Sequence, residues 1–221
     1  MGYTYTPVYA PTDASAVSMA AANQVTDSPS NNSDDGVGNY CTFNPVDPGY
    51  GTLSEGNLKV TGGNNTYARG TIPLRRGSGV KAVAEFTILT LGGNVLIGLH
   101  AVDTAPASSD VTTGSARRIV YDAAGNFYTA SSDSSPATYT VGDIIRMEVN
   151  MDGNSVQFFK NNASQGSVAI PSTYSLWNLI VWYQTSTGVT SLNTGQKPFV
   201  HTPTSNFGAW VTQNLPEPTV T

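Results

Sequence analysis

Gly142-Asp143-Ile144-Ile145-Arg146-Met147-Glu148-Val149-Asn150-Met151-Asp152-Gly153-Asn154-Ser155-Val156-Gln157-Phe158-Phe159-Lys160-Asn161-Asn162 is the stretch whose reading decides the fold. Ile145, Met147, Val149 and Met151 alternate with Arg146, Glu148, Asn150 and Asp152, and a period of two puts one set on each face of a β-strand. Asp152-Gly153 offers residues that accept positive φ, so a tight hairpin turn is expected there. Val156-Gln157-Phe158-Phe159-Lys160 then returns as the partner strand, and Asn161-Asn162 closes the next turn.

The same pattern extends outward in both directions. Val80, Ala82, Ala84, Phe86 and Ile88 alternate with Lys81, Glu85 and Thr87, which predicts one apolar face inward and one wet face. Val95, Ile97, Leu99 and Ala101 repeat it after Gly92-Gly93-Asn94, a turn expected to join the two strands as a hairpin. Trp177-Asn178-Leu179-Ile180-Val181-Trp182-Tyr183 is apolar on both faces, as befits a central strand packed on two sides. Antiparallel strands in this number imply two packed sheets. The expected fold is an all-β, two-sheet antiparallel sandwich over residues 38–221.

Residues 1–37 read differently. Tyr3, Tyr5 and Tyr9 with two prolines form an aperiodic, extended arm over residues 1–11. Asp13 to Ala22 is alanine-rich and suits a short helix with Val17 on one face. From Thr26 to Gly38 the chain is polar and rich in turn formers, which reads as a linker. Such an arm cannot build a core of its own, so Tyr3, Tyr5, Tyr9, Val17 and Met19 are candidate attachment residues.

Composition narrows the function. The chain has 221 residues, enough for one sizeable core, and only 11% of them are charged. Ten Lys+Arg against fifteen Asp+Glu give a formal charge of −5, with no basic stripe to neutralise phosphates, so nucleic acid is not an expected partner. Cys41 is the single cysteine, which excludes an intrachain disulfide and a multi-cysteine zinc site; it reads as a small buried hydrophobe at a strand start. No apolar run approaches the ~18–20 residues that cross a bilayer. The N-terminus shows neither a basic nor an apolar leader region, so no secretory signal is expected.

Several runs carry a family resemblance. Val141-Gly142-Asp143-Ile144-Ile145 to Asp152, followed by Phe158-Phe159-Lys160-Asn161-Asn162 to Gly166, resembles the "GDVI … LD … FYKNG-x-xQG" hairpin of SPRY domains, whose fold is a concanavalin-like jelly roll. Asn44-Pro45, Thr52-Leu53-Ser54-Glu55-Gly56-Asn57-Leu58 and Ala68-Arg69-Gly70-Thr71-Ile72 resemble the opening of such domains in phage proteins. Asn193-Thr194-Gly195-Gln196-Lys197-Pro198-Phe199-Val200-His201-Thr202-Pro203, then Phe207-Gly208-Ala209-Trp210 and Thr212 to Thr219, is similar to a closing signature of phage SPRY proteins. Where family members often have Lys-Trp-Tyr-Trp-Glu, this chain has Lys81-Ala82-Val83-Ala84-Glu85. The resemblance implies a surface protein of a tailed bacteriophage particle, made in the host cytoplasm and present in several copies beside other tail or capsid subunits. Two roles follow: a tail-associated adhesin for host surface glycan, or a capsid decoration protein bound to the major capsid protein.

A glycan hydrolase on this scaffold is a remote third class, because retaining chemistry needs paired carboxylates and no Glu-x-Asp-x-x-Glu run occurs. Glu85 and Glu148 are expected to stand alone on wet strand faces. His100 and His201 lie outside any metal or triad motif, and Asp34-Asp35-Gly36 lacks the alternating ligands of a calcium loop, so no metal or cofactor is expected. Candidate ligand-binding residues are Tyr128 with Asp133, and Tyr174 with Trp177, at expected strand ends. A ring there would stack on a sugar while Asn, Asp and Ser bond its hydroxyls.

Overall fold

The hairpin expected from residues 144–160 forms in the computed structural model, which describes residues 38–47, 49, 51–102, 116–129 and 135–216. Fourteen strands follow in chain order: β1 Thr52–Ser54, β2 Lys59–Gly62, β3 Thr66–Arg69, β4 Leu74–Arg75, β5 Lys81–Thr90, β6 Val95–Ala101, β7 Arg118–Asp122, β8 Phe127–Tyr128, β9 Ile144–Asn150, β10 Ser155–Lys160, β11 Ala163–Ala169, β12 Leu176–Tyr183, β13 Gly188–Asn193 and β14 Gly208–Ala209. They make two sheets. One has the order β1-β2-β13-β5-β9-β10-β11 with β14 beside β5, and the other β3-β12-β6-β7-β8 with β4 on β12. Every pairing is antiparallel except the short parallel contact of β14 with β5. The only helical turn among the described residues is a 3₁₀ turn at Thr212–Asn214.

The two inner faces meet in a single core. Phe86, Ile88, Ile145, Met147 and Phe158 from the first sheet pack against Ile97, Leu99, Tyr121, Trp177 and Val181 from the second, all fully buried. Each such aliphatic or aromatic side chain contributes on the order of 1.5–3 kcal/mol of burial. Tyr121 links the layers by edge-on ring contacts to Tyr139 at 5.0 Å and Phe158 at 5.9 Å. Trp177 lies near the start of β12, which lies between β6 and β3/β4 as the doubly apolar pattern requires.

Two turns differ from the expectation. Asn150 pairs with Ser155, so Met151 to Asn154 make a four-residue loop, and positive φ falls on Asn154 (50°) instead of Gly153. The cause is Asn150, whose Oδ1 accepts the amides of Asp152 (3.1 Å) and Gly153 (2.8 Å) and so sets the loop as an Asx turn. The second difference is larger. β5 and β6 are not a hairpin; they lie in different sheets, and Gly92-Gly93-Asn94 crosses between them. A Cβ on Gly92 would stand 2.0 Å from the Thr187 carbonyl oxygen, and Asn94 Nδ2 donates to Gln184 Oε1 (2.7 Å) and Asp122 Oδ2 (2.9 Å). The glycines serve close packing on the β12–β13 loop.

Asn161-Asn162 does close the next turn. Lys160 pairs with Ala163 and both asparagines have positive φ (46° and 69°), the geometry of a two-residue hairpin that matches strand twist. Asp143 locks the same corner: it accepts from Thr140 N (2.8 Å) and Asn161 Nδ2 (2.6 Å) and pairs with Lys160 Nζ (3.2 Å). The residues that carry the SPRY resemblance here are thus hairpin fasteners.

Candidate binding surface

The outer face of the first sheet carries Glu85 on β5 and Arg146 and Glu148 on β9, with Glu85 directly opposite Arg146. These carboxylates are not on a wet face, as the alternation suggested; each residue is 2% exposed. The chain leaves β13 at Thr194, crosses this face and returns at Trp210, whose amide donates to the Thr194 carbonyl (2.8 Å). Glu85 accepts the amides of Val200 and His201, both at 2.9 Å. Glu148 Oε1 accepts the Thr204 amide (2.8 Å) and lies 3.1 Å from Arg146 Nε. Arg146 Nη1 donates to the Thr202 carbonyl (3.0 Å) and to Asn162 Oδ1 (2.9 Å), and its guanidinium lies 4.0 Å from the Phe159 ring centroid. The period-two pattern was right about the side of the sheet. It could not reveal that a strap lying 56 to 116 residues downstream roofs that side.

The strap's base is built by the closing signature. Gly195 has φ 116°, and a Cβ there would stand 2.4 Å from Ala209 Cβ. Thr194 Oγ1 (2.7 Å) and Gln196 Nε2 (3.1 Å) both donate to the Cys41 carbonyl, and Trp210 Nε1 donates to the Ile72 carbonyl (3.0 Å). Cys41 is fully buried, as expected of a small hydrophobe, and burial pushes its thiol up to about 11 against the weaker pull of hydrogen bonds from Ile72 and Thr71.

Beside the strap, a polar cleft opens between the turn before β5, the β9–β10 loop and the strap's return. Lys81, Asp152, Asn206, Phe207 and Asn214 line it. Asn206 sits at φ 73°, and the Phe207 amide donates to the Thr204 carbonyl (3.1 Å), so the tip of the strap presents these two side chains together. Asn214 is fixed from the far side by Nδ2 donating to the Ala209 carbonyl (2.8 Å). Met151 N to Val80 O (2.8 Å) and Gly77 N to Met151 O (2.6 Å) tie the two flanking turns. An aromatic ring, two amides, a carboxylate and an ammonium in one open cleft suit a polyhydroxylated ligand: ring on the apolar sugar face, polar groups on the hydroxyls. A second cleft, lined by Asn44, Pro45, Asp47, Leu53 and Tyr67, adjoins the Arg69–Asp47 ion pair (2.5 Å); Tyr67 is 8% exposed there and offers no open ring face.

The residues singled out from sequence fall elsewhere. Trp177 is a core residue with no exposed surface, its Nε1 donating to the Tyr174 carbonyl (3.1 Å), so it presents nothing for a ligand to stack on. Trp177 is the second residue of β12, and from there to Tyr183 every residue of that strand is buried. Tyr174 is half-buried, edge-on to Trp177 at 6.2 Å, with its hydroxyl accepting from Arg117 Nε (3.1 Å). Tyr128 is half-buried on the outer face of the second sheet with the Arg118 guanidinium 4.8 Å from its ring centroid. Asp133, Tyr3, Tyr5, Tyr9, Val17, Met19 and the expected helix lie outside the described residues. His100 is buried with Nδ1 2.7 Å from the Ala101 carbonyl oxygen, and among the described residues no three His, Cys, Asp or Glu side chains cluster to hold a metal. Phe207 was quoted in the closing signature; only its neighbours in space mark it as a site residue.

No family profile matches the chain, and no curated protein matches it. Solved structures do. The SPRY domain of human HERC1 superposes with a TM-score of 0.58 at 17% identity, covering 70% of this chain and 99% of that one. Stonustoxin gives a TM-score of 0.55 at 14% identity over 70% of this chain, which spans 27% of the stonustoxin chain. At these identities the likeness shows the fold: a concanavalin-like sandwich of SPRY type.

Proposed function

We propose that this SPRY-type sandwich is a non-catalytic recognition module on the surface of a tailed bacteriophage particle, where it binds host surface glycan as a tail-associated adhesin. The observation that carries the reading is the cleft of Lys81, Asp152, Asn206, Phe207 and Asn214, whose chemistry matches a sugar ring and its hydroxyls. The phage setting draws on the closing signature from Asn193 to Thr219. A non-catalytic role draws on Glu85 and Glu148, whose oxygens hold backbone amides of the strap under a roof that leaves no room for a sugar and an attacking water. A cleft this open binds one sugar weakly, and several linked copies on a particle raise the effective concentration without new contacts.

The test is binding of the full-length protein to a panel of immobilised bacterial surface polysaccharides. Phe207→Ala is expected to lower apparent affinity roughly ten-fold, the equivalent of about 1.4 kcal/mol for one stacked ring. Parent-like binding by both Phe207→Ala and Asp152→Ala would remove the cleft from the proposal. Labelled protein on intact particles tests the setting: tail-confined label is expected, whereas label over the whole shell assigns the chain to capsid decoration.

A further inference from the structure

The cleft beside the strap holds one ammonium and one carboxylate that are not spent on each other. Lys81 opens β5 opposite Asn150 on β9, and Asp152 follows two residues after that asparagine. The backbone of Asp152 is fixed: its amide donates to Asn150 Oδ1 (3.1 Å) and its carbonyl accepts from Asn154 Nδ2 (3.2 Å). Its carboxylate is not. Among the described residues neither that carboxylate nor the Lys81 ammonium has an ion-pair or hydrogen-bond partner, whereas Lys59, Arg69, Arg146 and Lys160 are all paired. Phe207 lies next to Lys81, because the parallel pairing of β14 with β5 sets Gly208 against Ala82. Arg69, Arg118 and Arg146 each stand over an aromatic ring, but among the described residues no cation takes the ring of Phe207.

Resting on the reading of this cleft as a glycan site, we propose that its ligand is zwitterionic: a glycan that carries an ammonium and an anionic group close together. The ligand's ammonium lies between Asp152 and Phe207, paired with the carboxylate and drawn to the negative face of the ring, while its carboxylate or phosphate meets Lys81. Other glycans fit less well. A neutral sugar displaces water from both charges and returns only hydrogen bonds. A purely acidic polymer meets Asp152 and a chain of formal charge −5, and a purely basic one meets Lys81. The side-chain amides of Asn206 and Asn214 serve hydroxyl or acetamido groups. The cleft's volume of about 500 Å³ falls within the roughly 300–1,000 Å³ of small-molecule sites, so a sugar fits together with its charged substituents.

Two chemistries place such charges side by side: an amino sugar joined to a uronic acid, and an ethanolamine linked through phosphate to a sugar hydroxyl. The adjacent ammonium and anion are what the cleft reads in either. Because Lys81 and Asp152 have no side-chain partner among the described residues, Lys81→Met and Asp152→Asn each remove a charge without breaking a bond of the fold. Both variants are expected to melt with the unaltered protein.

The experiment measures binding of the full-length protein to four immobilised polysaccharides: a neutral one, one bearing uronic acid alone, one bearing amino sugar and uronic acid, and one bearing phosphoethanolamine. The last two are also presented after N-acetylation, which removes the ammonium and leaves the anion. The unaltered protein is expected to prefer a zwitterionic polymer, and which of the two it prefers identifies the source of the charges. N-acetylation should weaken that binding about three-fold, the scale of one solvent-exposed ion pair, and Lys81→Met and Asp152→Asn should each do the same on the native polymer. On the N-acetylated polymer Asp152→Asn should bind more tightly than the unaltered protein, a reversal that a structural role for Asp152 would not produce. Binding unchanged by N-acetylation, or equally strong on the neutral polymer, overturns the zwitterionic ligand; if Phe207→Ala still weakens it, the cleft stands as a glycan site. Binding that none of Phe207→Ala, Lys81→Met and Asp152→Asn alters, or no binding to any of the polymers, overturns both.

Discussion

At the scale of single residues, Glu85 shows how a polar side chain changes meaning with its surroundings. By sequence it is the charged partner in an alternating strand. In the fold it is 2% exposed, and both its oxygens hold backbone amides of the strap. Glu85→Ala strips two part-buried N–H groups of their acceptor, which costs about 3 kcal/mol. For a chain of this size that is a fall of roughly 6–12 °C in Tm. Scanning calorimetry checks it, with Glu85→Gln expected to lose less because one amide keeps its acceptor; equal melting of all three proteins would show that the strap bonds add nothing. Glu85 itself was legible as an outward residue, and its burial was not. Periodicity reports which face a residue takes, and what lies over that face comes from a segment more than a hundred positions away.

At the scale of elements, the strap is the feature that the strand pattern does not contain. Its base depends on two residues of the closing signature, Gly195 and Trp210. Any side chain at 195 meets both a strained φ of 116° and Ala209, and Trp210 fills a fully enclosed site while donating to the Ile72 carbonyl. Trp210→Ala is expected to cost about 3–5 kcal/mol, the range for truncating a large buried aromatic. Limited proteolysis should then cut between Lys197 and Phe207 before any other described loop. Cleavage elsewhere first would mean the strap stays seated without its base. The β9–β10 hairpin, by contrast, was readable almost to the register, because alternation, Asn161-Asn162 and the Asp143 fastener all act within twenty residues. The β5–β6 connection misled for the opposite reason: Gly-Gly-Asn fits a hairpin locally, and the choice of a sheet crossing rests on close packing against Thr185 and Thr187, ninety residues on.

At the scale of the whole molecule, the core contains groups that stay neutral only while folded. Burial pushes the Cys41 thiol from 9.0 to about 11 and raises the Tyr139 and Tyr183 phenols above their ordinary value of 10.0; nearby Asp122 adds to the effect on Tyr139, and hydrogen bonds from Thr190 oppose it at Tyr183. The folded state therefore keeps protons that the unfolded chain gives up, so stability is full below pH 9 and falls as pH rises from about 9 through 11, with the tyrosines adding to the loss above about 10. Urea midpoints at pH 7 and pH 8 should agree and that at pH 10.5 should be lower; a midpoint unchanged at pH 10.5 would mean these groups are not buried as described. What the sequence by itself determined is the class of fold. Alternating apolar residues, turn-forming asparagines and few charges specify antiparallel strands in two layers, since each of those signals acts over a few residues. Only the tertiary structure decided which strands share a sheet, that the outer carboxylates lie beneath the strap, and that Phe207 meets Lys81, Asp152 and Asn214 in one cleft. Those are contacts between segments far apart in the chain, chosen by the packing of the entire core, and no local pattern encodes them.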